Sequence, residues 1–517
     1  MIHNELLYKN TRDASEVVTA SQAILNGLAG HGGLYVPTEI PPLPVSLPEL
    51  ADMSYQETAY TIMRQFLTDF TEEELRQCIT RAYDEKFDVP KIAPLVCVDD
   101  TYYLELFHGA TAAFKDMALS ILPHLMTTAA KKNHITNEIV ILTATSGDTG
   151  KAALAGFANV PGTRIIVFYP KDGVSPIQER QMVTQQGDNT LVVGIRGNFD
   201  EAQTGVKRMF SDPRLNEDLH AAGYQFSSAN SINIGRLVPQ IVYYVYAWAQ
   251  LFAGGEITQD DAINVVVPTG NFGNILAAYY AREMGVPIAR LICASNENKV
   301  LYDFFSTGTY DRNREFFLTS SPSMDILISS NLERLIYRIA GEDAGVNAAL
   351  MKQLSETGTY EITPQMREQL AVFYGNFADE TECADTIRRL FLEDGYVIDP
   401  HTAVAAAVCG KYREETGDPA VTVLASTASP FKFTRSVLRA IEPEAEDASK
   451  ESSSGVGEDA REKDAASDMA MVDRLAALSG LPVPRPIEEI RNAAVVHDVV
   501  CDVDEMESVV RSFLQVQ

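Results

Sequence analysis

The sequence predicts an α/β protein with two parallel-sheet α/β domains and a helix-rich N-terminal segment. Short apolar runs of strand length alternate with amphipathic helical segments through the middle of the chain, and several runs end in polar, Gly-rich turns. Size agrees: 517 residues, 46% hydrophobic and 22% charged, make a sizeable core and roughly three domains at ~150 residues each. Sheets of this kind put their sites at the carboxyl ends of the strands.

Residues 1–95 read as helix-rich, broken by the Pro-rich "VPTEIPPLPVSLPEL". After them "EIVILTATS" is a strand, "GDTG" a turn and "KAALAGFANV" a helix. "TRIIVFYP" and "TLVVGI" are strands, each followed by a helix in "SPIQERQMVTQQG" and "NFDEAQTGVKRMF". "INVVVPTG", "ARLICAS" and "VTVLAS" are strands again, with helices in "NILAAYYAREMG" and "HTAVAAAVCGKYREE". Residues 96–130 and 240–441 are assigned to a large domain, and 131–239 to a small one. From 442 to 468 ten Asp or Glu stand against three Lys or Arg, net −7, with no aromatic residue. Such a stretch buries too little to fold and reads as a disordered acidic linker. Residues 469–517 regain apolar residues ("MVDRLAALSGL", "MESVVRSFL") and read as a segment that docks helices on the body.

A net charge of −29 argues against nucleic-acid binding and against docking on anionic lipid, while leaving room for a small anionic substrate. The six cysteines (Cys78, Cys97, Cys293, Cys383, Cys409, Cys501) are scattered, which fits reduced thiols better than disulfides or a metal site. "MIHNELLYKNTRD" lacks the apolar core of a signal peptide, and no apolar run reaches about 18 residues. A cytoplasmic protein, monomer or small homo-oligomer, is expected.

Five stretches carry candidate chemistry. In "TATSGDTGKAALAGF" a strand, loop and helix put Thr145, Ser146, Gly147, Asp148 and Thr149 at a helix N-terminus. This is either an anion-binding turn or a tight capped βα turn. A P-loop is ruled out, because Thr145 and Ala152 stand where Gly and Ser or Thr are needed. In "VVVPTGNFGNILAAYYA", Gly270 and Gly273 permit close backbone approach, and Asn271 and Asn274 add donors: a cup for one phosphate. "SSANSINIGRLVPQIVYY" supplies Ser231, Asn233 and Arg236 ahead of an apolar helix, either as a helix cap or as an anion site. "VTVLASTASPFKF" ends a strand with Ser426, Thr427 and Ser429, hydroxyls that suit a ring nitrogen or a turn.

The fifth stretch is "HGATAAFKD". Apolar residues at 114, 117, 118, 121, 122 and 125 predict a helix with Lys115 in its first turn. A lysine against an apolar wall has its ammonium form disfavoured, and the free amine can form a Schiff base. Such a lysine, a phosphate cup and a second anion loop together meet the needs of a pyridoxal 5'-phosphate (PLP) enzyme.

"HGATAAFKD", "TSGDTG", "SINIGRLVPQ", "PTGNFGN" and "LASTASPFKF", in this order, resemble the threonine synthases, PLP enzymes of fold-type II. "TRDASEVVTASQAILNGLAGHGGLYVP" resembles their entry segment, so the likeness spans about residues 8–440. The resemblance implies that Lys115 carries PLP, that Gly270, Asn271, Phe272, Gly273 and Asn274 hold its phosphate, and that Thr427 faces the pyridine nitrogen. It assigns Thr145, Ser146, Gly147, Asp148 and Thr149 to the substrate carboxylate, and Arg236, Asn233 and Ser231 to its phosphate, with Lys171 a weaker candidate. Related enzymes carry Asn at the position of Asp148, so the partner and protonation of that carboxyl stay open. Gly30-His31 stands where the family has Pro-Asp, and the acidic linker is longer than the family leads one to expect.

The implied reaction converts O-phospho-L-homoserine and water to L-threonine and phosphate by γ-elimination and β-addition, with Lys115 as general base. Two alternatives remain at this level. One is a PLP-dependent phospho-lyase or serine/threonine dehydratase giving a 2-oxo acid; the other is a non-catalytic protein that keeps the fold.

Overall fold

The computed structural model describes residues 5–145, 147–171, 173–443 and 458–516. The N-terminal segment is not purely helical. Strands β1 (Tyr8–Asn10), β2 (Val17–Val18) and β3 (Tyr35–Pro37) form a small antiparallel sheet in the order β2-β1-β3. Strands of two or three residues are too short to show a period, which is why the sequence does not betray them. The helices Ala20–Asn26, Tyr55–Phe66 and Glu72–Ala82 each begin with a capping box, Thr19 with Gln22, Ser54 with Glu57 and Thr71 with Glu74.

The chain then enters a large sheet through β4 (Leu95–Val98) and β5 (Thr101–Glu105). It leaves for a second sheet made of β6 (Glu138–Ala144), β7 (Thr163–Pro170), β8 (Thr190–Ile195) and β9 (Tyr224–Ser227). Back in the large sheet come β10 (Ile263–Pro268) and β11 (Ile288–Ser295). An antiparallel pair, β12 (Thr309–Asp311) and β13 (Thr359–Glu361), precedes β14 (Phe373–Phe377) and β15 (Thr422–Ser426). The large sheet runs β14-β11-β10-β15-β5-β4 and is parallel except for β4. Its central strands are buried on both faces, as a parallel sheet covered by helices requires.

The second sheet runs β16-β8-β7-β6-β9, all parallel, where β16 (Val500–Cys501) comes from the C-terminal segment. The segment 469–517 therefore contributes an edge strand as well as helices. It also joins the two sheets. The helix Glu458–Ser479 lies against Thr434–Ile441 on one side and Pro176–Val183 on the other. Arg180 donates to the carbonyls of Ile490, Arg491 and Ala493.

Of the stretch 442–468 expected to be a disordered linker, residues 444–457 lie outside the described residues, and the helix already starts at Glu458. Its Ala-, Glu- and Lys-rich composition favours a helix once a docking site exists for the apolar end. Among the described residues no helix is long and apolar enough to cross a membrane.

Candidate active site

The loop after β5 runs beside the end of β15 and is zipped to it. Phe114 N–H donates to the Thr427 carbonyl at 2.8 Å, Ser429 N–H to that of Ala112 at 3.0 Å, and Ala113 bridges Ala428. Lys115 and Thr427 thus sit on one rigid frame. The helix foreseen from Phe114 onward is divided into Asp116–Leu119 and Leu122–Lys132, with Lys115 capping the first piece. Pro123, without an N–H, is the second residue of the new helix, the position where that loss is harmless.

Lys115 is buried, and its Nζ donates to Ser323 Oγ at 2.9 Å. Asp148 Oδ2 lies 3.7 Å from the same nitrogen. Burial lowers the amine to about 8; Asp148 opposes the shift, while Lys432 and Arg236 add to it. An amine in this range is free to act as nucleophile and base near neutral pH. Ser323 is held from behind: its N–H donates to His401 Nε2 at 3.2 Å, and His401 Nδ1 stands 2.7 Å from Asp399 Oδ2. With Nε2 accepting, the ring proton belongs on Nδ1 toward the carboxylate.

Asp148 opens the helix Asp148–Phe157 behind β6. Its Oδ1 receives Lys432 Nζ at 2.6 Å and Gln178 Nε2 at 3.0 Å. Burial works to raise this carboxyl, yet Lys432 and Lys115 hold it well below the ordinary carboxylate range, so it is ionised. The other residues of the loop divide their tasks. Thr145 Oγ1 accepts from the N–H of Gly147 (3.0 Å) and Gly150 (2.9 Å), bracing the turn from inside. Gly147 has φ +134°, and a Cβ there would meet the Gln178 side chain at 2.5 Å. Thr149 lies half-buried in the first helical turn, and Ser146 lies outside the described residues.

The turn after β10 carries Gly270 to Asn274. A Cβ on Gly270 would stand 2.7 Å from the Ser323 carbonyl, so the phosphate-cup turn and the lysine's partner pack directly together. Phe272 adopts φ +63°, and its ring leaves the turn for the core, near Phe305 and Phe373. Only its backbone is available to a ligand. Asn271 accepts from Ser330 Oγ through Oδ1 and from Asn331 N–H through its carbonyl. Asn274 Oδ1 accepts from Tyr243 and Tyr244, each at 2.6 Å, while its Nδ2 is buried with no partner.

Arg236, in the first turn of the helix Ile234–Gly254, is buried and donates through Nη1 to the Ala229 carbonyl. Its Nε has no partner, and among the described residues it forms no ion pair. Burial lowers this guanidinium to about 10, with Tyr243 opposing. Asn233 is the cap of the same helix. Its Oδ1 accepts from Gly235 N–H, and its Nδ2 donates to the carbonyls of Ile24 and Ser228. Both of its amide atoms are therefore engaged within the protein. Ser231 Oγ receives Asn331 Nδ2 at 3.3 Å. Lys171 directly follows β7, its N–H bound to the Ile195 carbonyl.

Ser323, His401, Gln178 and Lys432 are the residues that sequence reading passed over. Lys432 lies in the quoted "SPFKF", but its pairing with the buried Asp148 shows only in the structure. Ser323 sits in "TSSPSMDI", far from every other stretch in sequence, and gave no signal. The departure at Gly30-His31 falls in an exposed turn, where His31 takes φ +55°.

Two partnerless donors, Asn274 Nδ2 and Arg236 Nε, and a buried amine near pH 8 fit a phosphate-bearing aldehyde with an anionic substrate. Fold and site define a PLP-dependent enzyme, and comparison with known proteins agrees. The family model described as "Threonine synthase N terminus" matches residues 7–83, and "Pyridoxal-phosphate dependent enzyme" matches residues 87–427. Threonine synthase-like 1 of Homo sapiens is 39% identical over 83% of this chain, which spans 59% of that relative's length. The threonine synthases of Pseudomonas aeruginosa and Schizosaccharomyces pombe are 36% and 34% identical over 84% and 85% of this chain and 90% of theirs. The crystal structure of PLP-bound threonine synthase from Brucella melitensis superposes with a TM-score of 0.84 at 33% identity, covering 99% of this chain and all of that one. The chain belongs to the threonine synthase family of PLP-dependent enzymes.

Proposed function

We propose that the protein converts O-phospho-L-homoserine and water to L-threonine and phosphate. The observation that carries this reading is Arg236, a buried guanidinium with a free Nε whose charge reaches Lys115. A dehydratase acting on an unphosphorylated amino acid has no use for it. Lys115 would bind the cofactor aldehyde, Gly270, Asn271, Gly273 and Asn274 would hold its phosphate together with the Phe272 backbone, and Thr427 would serve the pyridine ring. Bound there, PLP supplies an electron sink for carbanion chemistry.

Lys115 Nζ, released by the incoming substrate amine, takes the proton from Cα and then one from Cβ. Arg236, with Ser231 beside it and Asn233 capping its helix, binds the substrate phosphate and steadies it as it leaves Cγ. The N–H groups of Asp148 and Thr149 receive the substrate carboxylate, in the turn that Thr145 braces through the N–H groups of Gly147 and Gly150. The first proton passes from Lys115 to the departing phosphate and the second to Cγ; water then adds its hydroxyl at Cβ, its remaining proton going to Lys115, which returns it to Cα. Six unpaired cysteines, five of them buried, support a reducing, cytoplasmic setting.

Incubation of purified protein and PLP with O-phosphohomoserine tests the proposal. Threonine and phosphate in equal amounts are expected, and Lys115→Ala should form neither. Release of 2-oxobutyrate without threonine would replace this reading by a phospho-lyase. Protein that stays colourless with PLP, lacking absorbance at roughly 410–420 nm, would remove the enzyme reading altogether.

A further inference from the structure

We propose that Lys432 is the permanent counter-ion of Asp148, and a positioning residue that leaves the amine of Lys115 free to give up its proton. The inference rests on the assignment of Lys115 as the reactive lysine. Lys432 is fully buried, at the end of the short turn Pro430–Lys432 that Ser429 caps. Its Nζ lies 2.6 Å from Asp148 Oδ1 and 3.0 Å from the Thr111 carbonyl, whereas Lys115 approaches only the other oxygen, at 3.7 Å. Thr111 is itself immobilised, since its N–H and hydroxyl both donate to Asp116. Lys432 therefore cannot swing toward the cofactor site and does not compete with Lys115.

The charge balance gives this geometry its purpose. The charged groups around Lys115 are Asp148, Lys432 and Arg236; Asp116 and Lys151 act on the same cluster through Lys432. Without Lys432, the only cation within 4 Å of Asp148 among the described residues would be Lys115. A buried carboxylate with one cation available holds that cation protonated. The base would then be locked in its acid form. With Lys432 in place, Asp148 keeps its charge and its orientation whether Lys115 is protonated, neutral or bonded to the cofactor.

Competitive acetylation of the cofactor-free protein across pH 6–11, read at Lys115 by peptide mass spectrometry, tests this without turnover. It is independent of whether PLP or O-phosphohomoserine is accepted. Lys432→Met and Lys432→Gln should move the Lys115 titration upward by about one unit, lowering its labelling at pH 8 roughly fivefold. Lys432→Arg should leave it where the parent has it. Labelling at Lys115 unchanged in a folded Lys432→Met or Lys432→Gln protein would overturn the proposal. If neither neutral variant folds, the pair Asp148→Asn with Lys432→Gln decides. Recovery of folding means that the unpaired charge was the fault, as proposed; failure to recover makes Lys432 a packing residue and rejects it.

Discussion

Lys115 Nζ donates to Ser323 Oγ at 2.9 Å while Asp148, its nearest carboxylate, stays 3.7 Å away. The closer partner is a neutral hydroxyl, and the carboxylate is already claimed by Lys432. Burial then dominates the balance, and the amine sits near 8.

That value has a consequence for stability. In the unfolded chain the amine titrates at about 10.4, so below pH 8 both states hold the proton and folding bears the full penalty of burying it. Between 8 and 10.4 the unfolded chain holds more protons, and this penalty, about 3 kcal/mol, fades as pH rises. Cofactor-free Lys115→Met should therefore be more stable than the parent at pH 7, with the gap closing by pH 10.5. Urea unfolding at both pH values measures it, and a gap independent of pH contradicts the burial account.

Arg236→Leu removes a buried cation that lacks a carboxylate partner, so folding should survive. Transition-state binding of the phosphorylated substrate should fall by about 2–5 kcal/mol. Turnover of an unphosphorylated amino acid such as serine should hardly change. Steady-state kinetics on the two substrates separates phosphate recognition from a general structural effect.

Asn274→Ala strips the shared acceptor from the hydroxyls of Tyr243 and Tyr244 and removes the free Nδ2. Tyr243 can still donate to Gln240 Oε1 at 3.1 Å, but the stranded Tyr244 hydroxyl costs about 1–3 kcal/mol, so the midpoint of urea unfolding should drop. PLP affinity, followed by equilibrium dialysis, should weaken as well. Asn274→Asp should keep the tyrosine bonds while still losing the cofactor phosphate through charge repulsion.

Gly270→Ala brings a methyl group to 2.7 Å from the Ser323 carbonyl. Backbone must yield, at a cost of about 1–3 kcal/mol. Because Ser323 is the hydrogen-bond partner of Lys115, the rate of borohydride-trapped PLP attachment at Lys115 should fall too. An unaltered attachment rate would mean that the loop moves without disturbing the lysine.

Most of the regular architecture was legible. The strands "EIVILTA", "TRIIVFYP", "TLVVGI" and "INVVVP" occur where their apolar runs stand, because a strand buried on both faces leaves no other arrangement for six to eight apolar residues. The short β1, β2 and β16 and the break at Ser120–Ile121 were not, since each owes its form to a neighbour rather than to a local pattern. Within the site, Gly270 and Gly273 signalled themselves through chain geometry. Asn233 was open between a helix cap and an anion ligand, because both use the same residue type, and in the structure its amide caps the helix.

By itself the sequence determined the alternation of strands and helices, the Gly-rich turns at strand ends, and a lysine in a small-residue loop. Tertiary structure alone decided which groups meet there. Ser323, His401 and Lys432 come from far-apart segments around the large sheet and Asp148 from the helix behind β6 of the second sheet, and only the packing of these segments brings them within hydrogen-bond range. Protonation follows from that meeting: burial lowers the amine of Lys115 in "HGATAAFKD" to about 8, while Lys432 holds the carboxylate that opposes the shift.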